Sequence, residues 1–226
     1  ITNGEIADVA VIWAQTEESI RGFLVEKGTP GFEAFDIARK YSHRASVTSG
    51  LMLDEVRVPT ENLLPGTEGL KSALLCLNEA RFGIAWGAVG AAMACYEVAL
   101  DYAKSRIQFE VPIASFQLVQ RKLVKMLAEI TKGQLLCLQL GRLKDDGKAR
   151  HTQISLAKMN NVSEALKIAR TARNILGANG VALDYHVIRH MLNLEAVYTY
   201  EGTHDIHTLI VGRDITGEDA FGGKGS

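Results

Sequence analysis

Cysteine is scarce: the 226 residues hold only Cys76, Cys95 and Cys137. The number is odd, the three lie far apart, and each falls within an apolar helical pattern. That argues for small buried hydrophobes in a reducing compartment, and against a disulfide framework or a cysteine-bound metal. None has a basic neighbour or a helix start to stabilise a thiolate, so none reads as a nucleophile. An excess of charge of either sign is also lacking, since 25 Lys and Arg are interspersed with 26 Asp and Glu, for a net charge of −1 and a pI near 6.7. Such a surface has no field to draw nucleic acid or anionic lipid, which leaves small molecules and other subunits as partners. Long apolar runs are missing too. The most apolar window, 82–95, lies between Arg81 and Glu97 and falls short of the roughly 20 residues that a membrane-spanning helix needs. It reads as a buried helix. No Gly-x-Gly-x-x-Gly follows a strand pattern, which argues against a Rossmann-type site. Residue 1 is an isoleucine in what reads as the middle of a structural unit, with no initiator Met, signal peptide or basic leader. The chain therefore reads as a piece of a longer or processed protein.

What is present divides into two compositions. Residues 1–66 carry short β-branched or aromatic-rich runs at 8–14, 22–26, 31–36 and 49–58, with turn chemistry at 16–18, 27–30 and 59–62. These predict a meander of about four antiparallel strands, a partial sheet domain. Past Pro65-Gly66 the spacing changes to three and four, with Ala73, Leu74, Leu77, Ile84, Ala88, Ala91, Ala92, Cys95, Val98 and Ala99 on the first helix. Gly83, Gly87 and Gly90 give that helix a narrow face suited to a tight helix–helix contact. A second helix is predicted over 115–143, with Val119, Leu123, Met126, Leu127, Ile130, Cys137 and Leu138 inward, and ends at Asp145-Asp146-Gly147. A third runs over 152–176 and stops at Gly177 and Gly180. A shorter one over 185–198 and a last one from Asp205 complete the bundle, followed by a glycine-rich tail at 222–225. The fold class is α+β with segregated elements: sheet at 1–66, helical bundle at 67–226.

The chemistry concentrates in Thr199-Tyr200-Glu201-Gly202-Thr203-His204-Asp205-Ile206-His207, which follows the bulky run of Leu192, Leu194, Val197 and Tyr198. A carboxylate beside apolar surface is poorly hydrated and can take and return a proton near neutral pH. Glu201 is thus the candidate base, Gly202 permits close approach of a ligand, and Thr203 is placed to cap the last helix. The plain alternative is a hinge whose polar residues are merely solvated. A metal site is the other alternative, because Glu201, His204 and His207 are three apart; carboxylate-bridged sites need a second Glu-x-x-His, and the sequence has none.

Several stretches together resemble the acyl-CoA dehydrogenase family, most closely its glutaryl-CoA branch. They run from Ile1-Thr2-Asn3-Gly4 through Arg106-Ile107-Gln108-Phe109 and Phe116-Gln117 to Tyr200-Glu201-Gly202-Thr203, in the family's order and spacing. The glutaryl branch is favoured by residues 78–86 and by 201–207, where fatty-acyl branches often carry Gln in place of His207. The resemblance implies a chain that spans the second half of a middle β domain and a whole C-terminal bundle, with the N-terminal helical domain absent. It implies FAD as cofactor, an acyl-CoA thioester as substrate, and electron-transfer flavoprotein as partner. It also implies a homotetramer or dimer with FAD shared between subunits. The compartment would be the cytoplasm in a bacterium or the mitochondrial matrix in a eukaryote.

By the same resemblance, Glu201 is the base that removes the substrate's α proton, and Gly202 lines the thioester pocket. Arg106 and Gln117 hold the pyrophosphate and adenosine end of FAD. Asn174, Ile175, Leu176, Gly177 and Ala178 contact FAD at a helix end; Thr203 and Phe221 are further flavin contacts, with Asp205 a weaker one. Leu74, Leu77, Asn78 and Arg81 lie on the substrate-side helix, and Asn78 and Arg81 face CoA. No metal is implied. One departure stands out: Glu110 occupies a position where the family usually has glycine, and a side chain there threatens the turn that aims Arg106. The rival readings are a fatty-acyl-CoA dehydrogenase, an acyl-CoA oxidase, and a non-catalytic helical module that only holds subunits together.

Overall fold

The computed structural model describes residues 1–222, so the tail beyond Gly222 lies outside the described residues. Two compact units divide between Leu77 and Asn78. In the first, β1 (Val9–Gln15) pairs antiparallel with β2 (Ile20–Glu26), from Val9 opposite Glu26 to Gln15 opposite Ile20. β3 (Phe32–Asp36) pairs antiparallel with β4 (Ser49–Leu53). The expected four-stranded meander is therefore two separate two-stranded sheets. The break lies at 27–31, where Gly28 and Gly31 have φ of +86° and +81°. Two left-handed residues in five turn the chain away before β3 can pair with β2. Gly31 cannot be replaced there, because a Cβ would sit 2.0 Å from the Asp54 carbonyl oxygen. β4 also stops at Leu53 rather than running on to 58, since Glu55 has φ +49° and leaves the extended region.

The second unit is the bundle. α1 (Lys71–Ser105) is followed by a two-residue-strand hairpin, β5 (Ile107–Gln108) and β6 (Val111–Pro112). Then come α2 (Gln117–Asp145), α3 (His151–Ile175), α4 (Val187–Thr199) and α5 (His204–Thr216). α3 packs against α2, α4 and α5 at once. It can because Ala157, Ala165, Ala169 and Ala172 keep its core face slim, while Ile154, Val162, Leu166 and Ile168 supply apolar area, each worth about 1.5–3 kcal/mol on burial. Asn161, 3 % exposed, donates from Nδ2 to the carbonyls of Ala85 and Gly133 and to Cys137 Sγ, which staples α1, α2 and α3 together.

Four details differ from the pattern-based expectation. α1 has 35 residues and is long and apolar enough, by length and composition, to cross a bilayer. Its Ala85, Ala88, Val89, Ala92, Cys95 and Ala99 nonetheless lie in the bundle core. Its Gly83, Gly87 and Gly90 would meet nothing within 4 Å on gaining a Cβ, so among the described residues that glycine face packs on nothing. On α2 the inward stripe is Leu123, Met126, Ile130, Gly133, Cys137 and Leu140; Leu127 and Leu138 fall beside it and are exposed. Cys76 is exposed as well, whereas Cys95 and Cys137 are buried. Burial pushes the Cys95 thiol up to about 12 and raises that of Cys137 against an opposing hydrogen bond from Asn161.

Candidate functional site

Four residues, 200–203, join α4 to α5, and two of them are left-handed: Glu201 at φ +56° and Gly202 at φ +90°. Glycine takes this conformation freely, but for glutamate it costs roughly 1–2 kcal/mol. The turn is entered from the apolar end of α4 and closed by Thr203, whose Oγ1 accepts from the Ile206 amide at 3.2 Å to cap α5. The cap read from the sequence is thus present.

Donors from three helices hold this turn from within. Lys158 on α3 donates from Nζ to the Tyr200 carbonyl at 2.9 Å and to the Gly202 carbonyl at 2.8 Å. Arg81 on α1 donates from Nε to the Glu201 carbonyl at 2.9 Å. His207 on α5 places Nε2 3.1 Å from the same oxygen. All three side chains are buried, at 1 %, 8 % and 0 % exposure. Desolvation, then Arg81, lowers the Lys158 ammonium to about 8, with Glu201 opposing. Desolvation, then Lys158 and Arg81, lowers His207 to about 4, with the hydrogen bond to the Glu201 backbone opposing. A neutral imidazole must carry its proton on Nε2 to donate to that carbonyl, which makes His207 a donor to the turn and leaves Nδ1 bare. The absent side chain of Gly202 matters here: a Cβ would lie 2.8 Å from His207 Nε2 and 3.4 Å from Arg81 Nη2.

The turn's basic partners are spent on its backbone. The Glu201 carboxylate keeps Oε2 shielded from solvent with no hydrogen-bond partner among the described residues. An acceptor that is dry, unpaired and set on a fixed backbone is poised to take a proton from something that docks beside it. The metal alternative loses its geometry, because a left-handed Glu201 leaves the helical face that its spacing to His204 and His207 had suggested. His204 instead stacks on Tyr198, with centroids 4.6 Å apart and planes at 7°, and no three His, Cys, Asp or Glu among the described residues form a ligand group.

A second feature lies at the other end of the bundle. Tyr102, Arg106, Gln108, Ile113 and 175–179 line a cleft of about 430 Å³. The β5–β6 turn beside it is formed by Phe109 at φ +51° and Glu110 at φ +67°. Both central residues of a tight hairpin turn of this kind are left-handed, and glutamate is accommodated at the second. Strand pairing on either side is intact, and the Ile113 amide donates to the Arg106 carbonyl at 2.9 Å. Gly177 is left-handed, and a Cβ on it would meet nothing, so its backbone is open to a ligand. Arg106 has no ion pair among the described residues. A free guanidinium beside approachable backbone fits a phosphate-bearing group.

The remaining expected site residues are dispersed. Asn174 lines a different groove, of about 380 Å³ between α2 and α3, where its Oδ1 accepts from Lys122. Gln117 is the exposed first residue of α2, and Phe221 is half exposed beyond α5. Asn78 is half-buried on α1, while Leu74 and Leu77 belong to the first unit, with Leu74 exposed. Sequence reasoning missed Lys158 altogether and weighed His207 as a metal ligand and as a mark of the glutaryl branch, not as a donor to the turn. The available signal was a lysine inside the inward stripe of α3, among Ile154, Ala157, Asn161 and Val162.

Comparison with known proteins shows the family. A family model for the acyl-CoA dehydrogenase C-terminal domain matches residues 67–216. The short-chain specific acyl-CoA dehydrogenase of Megasphaera elsdenii is 34% identical over 219 residues, covering 94% of this chain and 57% of that relative. The crystal structure of glutaryl-CoA dehydrogenase from Mycobacterium smegmatis superposes with TM-score 0.96 at 58% identity, over 97% of this chain and 57% of that one. A structure of a glutaryl-CoA dehydrogenase from the same organism in complex with FADH2 gives 0.96 at 54%, with the same coverage. The chain thus spans little more than half the length of the proteins it matches, and the chain belongs to the acyl-CoA dehydrogenase family.

Proposed function

We propose that the whole protein oxidises an acyl-CoA thioester across Cα and Cβ, with Glu201 as the base. The observation that carries this is the Glu201 carboxylate, whose Oε2 is dry and unpartnered while buried donors fix the backbone on both sides of it. Glu201 removes the α proton and holds it. Acceptance of the hydride equivalent from Cβ is chemistry that no side chain supplies and that FAD would supply when bound. Gly202 lets the thioester approach the turn and Asn78 faces the CoA portion, whereas Arg81, expected there from the sequence, is buried and supports the Glu201 carbonyl instead. Arg106 and 175–178, which line the cleft beside the hairpin, would hold the cofactor's pyrophosphate end, and Gln117, Asn174, Thr203 and Phe221 would be further contacts. The match to a relative solved with FADH2 supports the choice of cofactor. We further infer a homotetramer or dimer, electron-transfer flavoprotein as acceptor, and a bacterial cytoplasm or mitochondrial matrix as compartment.

Glutaryl-CoA is the proposed substrate, supported by the 58% identity to a glutaryl-CoA dehydrogenase. Oxidation gives an enone whose distal carboxylate is lost as CO2, and the electron pair left behind spreads to the thioester as a dienolate. Glu201 returns its proton to the terminal carbon to give crotonyl-CoA. The test is full-length enzyme with an electron acceptor and glutaryl-CoA labelled in the distal carboxyl, which should release labelled CO2. Oxidation that stops before CO2 loss would mark a non-decarboxylating relative. Brisk turnover of butyryl-CoA with none of glutaryl-CoA would put the protein with the short-chain enzymes.

A further inference from the structure

We propose that Lys158 is a positioning residue for the Glu201 carboxylate, a role that rests on reading Glu201 as the base. Two left-handed residues in succession bring the carbonyls of residues 200, 201 and 202 to buried donors. A carbonyl-lined cradle of this kind suits a cation, and the chain fills it with its own. The two Lys158 bonds straddle Glu201. One fixes the peptide plane that precedes it, through the Tyr200 carbonyl, and the other fixes the plane after Gly202. Arg81 and His207 hold the plane between, through the Glu201 carbonyl. The orientation of the planes on either side of a residue sets its φ and ψ, so the donors together lock Glu201 left-handed and aim its side chain.

A packing role alone does not account for the lysine. At 1 % exposure its ammonium is nearly out of water, yet its hydrogen bonds among the described residues go to backbone oxygens, and the Glu201 carboxylate favours its charge through space without forming an ion pair with it. A methionine would fill the same space without the cost of burying a charge. What methionine cannot do is donate to two carbonyls on opposite sides of the reacting residue.

The experiment uses the full-length holoenzyme as wild type, Lys158→Met, Lys158→Gln and Glu201→Gln. Stopped-flow reduction of the flavin by glutaryl-CoA is measured with unlabelled and α-deuterated substrate, and amide hydrogen exchange is followed without substrate. Misplacing a base by about 1 Å costs on the order of 100-fold. Lys158→Met should therefore slow reduction about 10- to 100-fold per bound flavin, with a larger α-deuterium isotope effect and KM changed much less than kcat. Exchange should rise at 200–206 and stay unchanged elsewhere in the bundle. If Lys158→Met does not fold, Lys158→Gln carries the test, with slowing of about tenfold and the same enlarged isotope effect. A normal reduction rate in whichever variant folds, or a loss of flavin and stability with normal rate per flavin, would overturn the role of Lys158. Glu201→Gln separates the two ideas: fast reduction in that variant would remove the base itself, whereas a dead Glu201→Gln beside a normal Lys158→Met would remove only the positioning role.

Discussion

Two tight turns in the bundle place a glutamate in the left-handed region, and they do so under opposite conditions. At Phe109-Glu110 the turn is exposed, with Phe109 85 % accessible, and among the described residues it is held by the short β5–β6 pairing and an edge contact of Phe109 with Phe116. At Glu201-Gly202 the turn is lined by Lys158, Arg81 and His207, all buried and all donating to its backbone. Glycine would be the easier residue at either place. In the hairpin the side chain of Glu110 meets no such set of partners among the described residues, so nothing there matches the set of donors around Glu201. At Glu201 three helices spend basic groups to enforce the strained backbone, and Oε2 of the side chain so displayed is left without a hydrogen-bond partner among the described residues. Strain that the surroundings over-determine points to use, while strain that they merely tolerate does not.

The contrast can be broken most severely at Gly202. Gly202→Ala adds a Cβ 2.8 Å from a ring that is itself 0 % exposed, at φ +90°. Overpacking and backbone strain together should cost about 3 kcal/mol, read as a lower urea midpoint, and a fall below 1 kcal/mol would show the turn to be softer than described. Next in size is acid. His207 is held at about 4 when folded, against 6.5 for the free side chain. Between those values the unfolded chain binds more protons, so stability falls as pH drops from 6.5 to 4 and levels off below. The contribution is about 3 kcal/mol; His207→Gln should flatten that part of the profile, and an unchanged slope would remove His207 from the account. Lys158 has the same sign in another window: free at 10.5 and folded at about 8, it makes stability rise with pH between those values. The smallest effect is at the hairpin. Glu110→Gly should stabilise the bundle by about 1 kcal/mol and leave turnover unchanged, whereas Glu201→Gly should relieve a similar strain and abolish the reaction. A loss of turnover in Glu110→Gly would mean that the two turns are not different in kind.

The helices were legible because each buries a stripe that recurs at three and four residues, and α3 at His151–Ile175 lies within one residue of its expected span of 152–176. The sheet was less so. Short β-branched runs announce strands, but whether neighbours pair depends on turns such as 27–31, where two positive φ angles redirect the chain. Glu201 and the Thr203 cap could be read locally, since a base candidate and a capping hydroxyl are written within a few residues of the helix they serve. What surrounds Glu201 could not. Arg81 reaches the turn across 120 residues of sequence and Lys158 across 42 and 44, and helical spacing alone says only that position 158 faces inward. A lysine there conflicts with the apolar stripe, and that conflict was the one local trace of the site's second layer.

The account turns on whether Glu201 takes the α proton, and Glu201→Gln in the full-length holoenzyme tests this most directly. The amide keeps the shape of the side chain and cannot act as a base at any working pH. Mixed rapidly with glutaryl-CoA, the variant should retain its flavin and bind the substrate, yet reduce the flavin at least about a thousandfold more slowly than wild type, the scale of a lost general base. Flavin reduction at close to the wild-type rate would contradict the central claim.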